Sequence, residues 1–226
     1  MATRPKRKTP TAKRSQLYRA AQGAPARVFR REQGVSIEAF EFDFTCADDD
    51  EDLGYILVTN GMSDRPMHLD AEAQPAFERG EIARRAELIW YVRELAPHYI
   101  TTLRWLAAFP FIDTTWLGFG HTIPMPGPMF PPSKLTAFLF LTPIIGRHAR
   151  LFDKLRIDRE AVELLTVHLL TRAEYELKMK KGVGAILDLF DAADYPFVLD
   201  ERRASLVPPR RKKRPRARTR TRARTR

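Results

Sequence analysis

Charge is segregated along this 226-residue chain so sharply that it limits where a core can form. Residues 1–31 carry ten lysines and arginines and no acidic residue, and residues 210–226 carry eleven, again with no acid. Of 39 basic and 28 acidic residues in all, the ends therefore hold twenty-one of the bases. That leaves eighteen bases against twenty-eight acids in residues 32–209, a body of about −10 inside a chain whose formal net charge is +11. Acid-free ends rich in Arg, Lys, Pro and Thr bury too little apolar surface to offset their ordering entropy. The expected organisation is a disordered basic segment at 1–31, one domain at 32–207, and a disordered, low-complexity, Arg-rich tail at 208–226.

Hydropathy patterning inside the body predicts interspersed strands and helices. In "VSIEAFEFDFTC" Phe40, Phe42 and Phe44 share one face, with Glu41 and Asp43 on the other, as in a half-buried strand. The acidic stretch Asp48 to Asp52 then reads as a solvated turn into a second strand at 54–60, making a hairpin. A strand is expected at 86–94, followed by a helix opened by Pro97 and closed by Pro110, with Tyr99, Ile100, Leu103, Leu106 and Ala107 on one stripe. Trp105 lies off that stripe. Residues 117–134, with five prolines and three glycines, are expected to form a long irregular loop.

Two apolar strands should follow, at 136–142 and 162–170. Thr171-Arg172-Ala173-Glu174 fits a capping box. The helix it starts should carry Met179, Val183, Ile186, Leu187 and Phe190 on one side, and Gly182 and Gly184 should weaken or break it midway. "PFVLD" at 196–200 is expected as a last short strand. The fold class is α+β: a mixed sheet with helices packed on its faces, an α/β/α-like sandwich.

The stretch "GYILVTNGMSDRPM" sets a serine and an aspartate at the end of a strand. A nucleophile elbow needs Gly-x-Ser-x-Gly, and here Gly61-Met62-Ser63-Asp64 is followed by Arg65. Ser63 and Asp64 read better as residues that hydrogen-bond their own turn. A calcium loop beginning at Asp48 would need Gly and Glu where Leu53 and Thr59 stand. The five histidines show no metal-ligand spacing, and the single Cys46 permits neither an internal disulfide nor a cysteine metal cage. His121 is the histidine with the most suggestive setting, beside Gly120, and reads first as a loop anchor. No phosphate loop or dinucleotide fingerprint is present. Neither a cofactor nor a small-molecule substrate is expected.

The basic N-terminus has no apolar segment behind it, and the run "LTAFLFLTPII" is too short to span a bilayer. The expectation is a cytoplasmic protein without membrane attachment.

Six stretches, in order, resemble Suppressor of fused domains: "GYILVTNGMSDRP", "ELIWYV", "ITTLRWLAAF", "GHTIP", "TRAEYELKMKKGVGAILDLF" and "VLDERR". Each is soft alone, and their order over residues 35 to 207 makes the resemblance specific. The turn at Gly61, Ser63 and Asp64 resembles the family's Gly-Leu-Ser-Asp. Asp200, Arg202 and Arg203 fall where the family carries Asp-x-Arg-Arg, and Gly182 falls near the glycine after its Thr-x-x-Glu helix. The resemblance implies a non-catalytic binding protein. Animal members hold Gli-type transcription factors, with a partner strand added to a sheet, and carry a further C-terminal domain. The size of this chain is similar to bacterial members, many of which are regarded as immunity proteins against toxins.

Three functions are therefore set against one another. The first is an immunity or adaptor protein that sequesters a protein partner, such as a basic toxin steered by an acidic body. The second is a nucleic-acid-associated protein anchored by its tails, with Arg210, Arg211, Lys212, Lys213 and Arg214 opening a sequence-independent phosphate contact. The third, an outsider, is a hydrolase using Ser63, Asp64 and His121.

Overall fold

The computed structural model describes residues 9–32, 34–44, 53–195 and 197–208. In chain order the elements are α1 (Pro10–Gln22), β1 (Arg27–Glu32), β2 (Val35–Asp43), β3 (Leu53–Asn60), α2 (Gln74–Glu78), β4 (Ala86–Val92), α3 (Pro97–Ile112) and β5 (Thr122–Pro124). There follow β6 (Leu135–Leu141), α4 (Gly146–Ala149), β7 (Arg156–Ile157), β8 (Glu160–Ala161), β9 (Glu163–Thr171), α5 (Arg172–Lys181) and α6 (Gly184–Ala192). Among the described residues, seven strands form one sheet in the order β1-β2-β3-β4-β9-β6-β5, and β7 and β8 form a separate small hairpin. Neighbours in the sheet run antiparallel except β4 and β9, which are parallel. The sheet is mixed, as expected.

Alternation along the strands loads both faces with apolar side chains. On one face Ile37, Ala39, Leu57, Leu88, Trp90, Phe138, Phe140 and Val167 meet Ile100, Leu103 and Leu106 of α3. On the opposite face Phe40, Ile56, Val58, Ile89 and Tyr91 pack with Tyr18 of α1 and with Phe152, Leu155 and Ile157. Further along that face, Ala137, Leu139 and Leu141 pack with Ile186 and Phe190 of α6. Helices thus cover both sides of the sheet.

Several local expectations hold. The hairpin β2–β3 forms in unbroken register from Ser36↔Asn60 to Asp43↔Leu53, and its acidic turn lies outside the described residues. Thr171 accepts from the Glu174 N–H while the Glu174 carboxylate accepts from the Thr171 N–H, so the capping box is complete. Gly182, at φ 85°, ends α5 in a conformation that favours glycine, and α6 starts two residues later.

Five expectations are corrected. Residues 1–31 are not a coreless segment: from Pro10 onward they supply α1 and β1, and Arg14 and Tyr18 are completely buried. Charge density concealed this, because one apolar ring and one paired guanidinium dock the helix. With Lys13, Arg14, Arg19, Arg27, Arg30 and Arg31 inside the fold, residues 9–208 hold twenty-four bases against twenty-eight acids, about −4. Pro110 does not close α3, which runs to Ile112 with the proline in its last turn. The 117–134 loop contains an edge strand, β5. Met179 is 60% exposed, not part of the helix core. Residues 197–200 form no strand, although Leu199 donates its N–H to the Tyr91 carbonyl at 2.9 Å. Trp105 packs on Phe109 and Phe138, with ring centroids 5.5 and 6.0 Å away.

Candidate functional site

The turn after β3 folds around a carboxylate. Gly61 sits at φ 134°, and a Cβ there would lie 2.4 Å from the Gly34 carbonyl oxygen, so only glycine fits. The chain then makes one 3₁₀ turn over Met62–Asp64 and aims successive N–H groups at Glu87 of β4. Glu87 Oε1 accepts from the Gly61 and Ser63 N–H groups at 3.0 Å each and from Ser63 Oγ at 2.7 Å. Its Oε2 accepts from Thr59 Oγ1 at 2.6 Å and from the Met62 N–H at 3.3 Å. Successive backbone N–H groups of this kind hold an anion without a bound ligand.

Arg14 of α1 closes the cluster. Its Nε donates to Asn60 Oδ1 at 2.7 Å and lies 3.2 Å from Glu87 Oε1. Its two Nη atoms donate to Ser63 Oγ at 2.9 Å and Asp64 Oδ1 at 2.6 Å. Arg85 Nη1 donates to the Ser63 and Asp64 carbonyls at 3.0 Å, and Arg31 reaches Asp64 Oδ2 at 2.9 Å. Glu38, also buried, accepts from Asn60 Nδ2 at 2.7 Å and from Ser15 Oγ. The Tyr18 hydroxyl donates to the Thr59 carbonyl at 2.7 Å; burial, then the nearby Glu87 charge, raises its pKa well above the usual value.

Ser63 is completely buried, and its hydroxyl is committed to Glu87 and Arg14. A nucleophile needs its oxygen presented to substrate and a base to take its proton. Here the oxygen faces the inside of the protein, bonded to Glu87 and Arg14.

Asp200, Arg202 and Arg203 form a second anchor. Asp200 Oδ1 accepts from the Arg202 N–H at 2.8 Å, tightening the bend, while the Arg202 side chain is exposed. Arg203 donates from both Nη atoms to the two oxygens of Glu174, at 2.7 and 2.6 Å, and to the Leu169 carbonyl at 2.6 Å. Burial pushes the Glu174 pKa up, and the Arg203 hydrogen bonds and charge more than offset it, leaving it below the ordinary value. Glu174 also accepts from the Leu206 N–H at 2.8 Å. The C-terminal segment is thereby pinned to the start of α5.

His121 is not brought to Ser63. Its Nδ1–H donates to the Trp116 carbonyl at 3.2 Å, and its ring meets the Trp116 ring at 4.1 Å. Burial first, then the Lys178 charge, lowers its pKa, so the ring is neutral near pH 7. It anchors a loop and lines a cleft of about 530 Å³ between the end of α3, β5 and α5. Phe109, Trp116, Ile123, Tyr175 and the exposed Met179 give that cleft apolar walls, with Asp113 and Lys178 as its charges. Phe119, 45% exposed, lies on the adjoining loop.

β5 is an edge strand. Its inner side is used: the His121 carbonyl accepts from the Phe140 N–H and the Met125 N–H donates to the Thr136 carbonyl. Alternation then turns the Thr122 N–H and C=O toward the open side. Pro124 has no N–H to offer and shortens the edge.

Arg14, Glu38, Arg85 and Glu87 went unread in the sequence. The signal for the two acids was present, a lone glutamate inside each apolar run "VSIEAF" and "AELIWYV". Nothing local flagged Arg14, one base among many. The residues Arg210, Arg211, Lys212, Lys213 and Arg214 lie outside the described residues. Among the described residues no three His, Cys, Asp or Glu side chains converge on a metal position, and no helix is long and apolar enough to cross a membrane.

Comparison with known proteins returns one family. The family model for Suppressor of fused protein (SUFU) matches residues 35–204. A solved structure described as a SUFU homologue from Neisseria gonorrhoeae FA 1090 superimposes with a TM-score of 0.60 at 15% identity, covering 88% of this chain and 98% of that one. Drosophila Suppressor of Fused gives 0.58 at 17% identity, covering 85% of this chain and 49% of that one. A chain from the Sufu–Fu complex gives 0.59 at 16%, covering 85% and 88%. No curated protein matches the chain.

Proposed function

The chain belongs to the Suppressor of fused family, and from that premise we propose that it is a non-catalytic protein-binding domain, an immunity or adaptor protein that sequesters a protein partner at the β5 cleft. The observation that carries this reading is the contrast in availability between the two motif regions. Ser63 is consumed by a buried network and the cavity of about 320 Å³ beside its turn holds the Arg31–Asp64 ion pair in its lining, whereas the β5 side combines a cleft of about 530 Å³ with a strand edge that has no outer partner among the described residues. Edge pairing gives an extended segment main-chain hydrogen bonds, and an adjoining pocket selects one of its side chains. The relative solved as the Sufu–Fu complex is itself a protein-binding member of this fold. A basic toxin fits as partner in sign, but a body of about −4 gives only modest steering.

The test uses a partner captured from the native cells and cross-linked to the full-length protein. Cross-links should map to β5, α5 and the 113–119 loop. Met179→Asp should weaken that partner about tenfold or more while leaving thermal stability unchanged, because Met179 is exposed. Cross-links confined to other surfaces, with an unaffected Met179→Asp, would remove the cleft from the reading.

The Arg-rich tail supports a second reading, non-specific nucleic-acid contact, since residues 210–226 hold eleven bases. Duplex affinity that survives deletion of 210–226 with an unchanged salt slope would sink it.

A further inference from the structure

Two basic segments far apart in sequence lie side by side on the sheet face opposite α3. Tyr18 seats α1 there, its ring 5.6 Å from Phe152, and Gln22 at the end of α1 reaches the His148 ring of α4. Phe152, Leu155 and Ile157 share one buried cluster with Tyr18. With those side chains turned inward, the outward positions of both segments are left to charge. Lys13 and Arg19 are exposed on α1, and Arg147, Arg150, Lys154, Arg156 and Arg159 are exposed along 146–159.

Little on this face answers that charge. α1 contains no acid, and 146–159 contains Asp153 and Asp158, the latter paired with Arg85 at 3.0 Å. Seven exposed bases thus stand against two acids, within a described region of about −4. Among the described residues none of the seven has a carboxylate partner: Arg147 lies over the Phe42 ring at 4.7 Å, and Arg156 donates to the Asp153 and Leu155 carbonyls. By contrast Arg31, Arg79, Arg84, Arg104 and Arg172 each hold a carboxylate. Like charges gathered on one face repel one another, and a polyanion relieves that repulsion.

The rest of the face selects among polyanions. Neither segment exposes a large apolar side chain, which an amphipathic helix needs in order to sit in a lipid surface. Their aromatic residues, Tyr18, His148 and Phe152, are all buried, so the face lacks the anchors that carry most protein interfaces. A phosphate backbone requires neither. Residues 1–8, which lead into α1, add Arg4, Lys6, Arg7 and Lys8 and no acid. We propose that the face formed by α1 and residues 146–159 is a phosphate-backbone contact surface for double-stranded nucleic acid, without base specificity. The proposal rests on the nucleic-acid reading of the tail for its ligand class and stands on different residues.

The test is a salt titration of full-length protein against a random-sequence duplex. Replacing Lys13, Arg19, Arg150 and Lys154 together by glutamine should make the log–log salt slope shallower by about 2 to 4 and weaken binding at least about tenfold at about 0.1 M salt. An equal change of charge away from the face, glutamine at Lys134, Lys180, Lys181 and Arg202, should leave the slope within about 1 of the unsubstituted protein. All eight positions are exposed, so both variants should fold. Without any substitution, bound duplex should protect Lys13 and Lys154 from acetylation. The proposal fails if the face variant keeps the full slope, if the control loses as much, or if neither lysine is protected. Deleting 210–226 separates the two readings: loss of all duplex binding, with an unaffected face variant, leaves the tail and removes the face. No duplex binding by the full-length protein removes both. Binding to phosphatidylserine vesicles in place of the duplex would assign the face to a lipid surface and overturn the proposal.

Discussion

The turn at residues 61–64 and the cleft beside β5 put their polar groups to opposite uses. At the turn, five donors converge on Glu87, Arg14 faces it, and Ser63 disappears from the surface. At the cleft, a serine-free set of Trp116, His121, Tyr175 and Lys178 lines an open space, with one backbone edge unpaired by the sheet. Buried polar residues that satisfy one another stabilise a fold, whereas at the cleft it is the apolar walls and the outer side of β5 that stay open, since His121 and Lys178 already bond the Trp116 carbonyl and Thr122 Oγ1. Whether a motif looks reactive in sequence says little about which of these it will be.

The strongest way to break this contrast is Glu87→Ala. If the turn is built around that carboxylate, its loss leaves Arg14 and several N–H groups buried without it and should cost about 3–5 kcal/mol in denaturant unfolding. A cost under about 1 kcal/mol would mean the turn holds without its anion. Next in size is Arg14→Met, which keeps the volume but removes hydrogen bonds to Asn60, Ser63 and Asp64. A loss of about 2–3 kcal/mol is expected, because hydrogen bonds to charged groups are the stronger ones. An unchanged melting temperature would restore a dispensable N-terminus and detach α1 from the fold.

A smaller effect sharpens the comparison. Glu163, beside Arg85 at the start of β9, is a carboxyl that burial pushes up to about 7. Because its folded pKa lies above its unfolded one, its stability contribution is present below about pH 4.5 and lost as pH rises through about 7. Glu163→Gln should therefore raise stability by about 1–2 kcal/mol at pH 8, change little at pH 4, and flatten the slope between. An unaltered pH profile would show that Glu163 is solvated, and that burial near this turn does not by itself penalise a charge.

Local sequence was enough for the elements whose determinants sit close together in the chain. The Phe40, Phe42 and Phe44 alternation, Pro97 at the start of α3, the Thr171–Glu174 box and the Gly182 break each act within a few residues, and each appears in the structure. The failures have one physical origin. α1 is held by contacts 46 to 50 residues away, from Arg14 to Asn60, Ser63 and Asp64, so its composition looked like a tail. Met179 lies beyond the reach of the sheet that buries Ile186. Glu87 and His168 are polar residues inside apolar strands, and sequence alone could not distinguish their fates. Among the described residues, tertiary structure gave Glu87 five donors and gave His168 none, because which groups arrive opposite a strand depends on the segments folded against it and not on the strand.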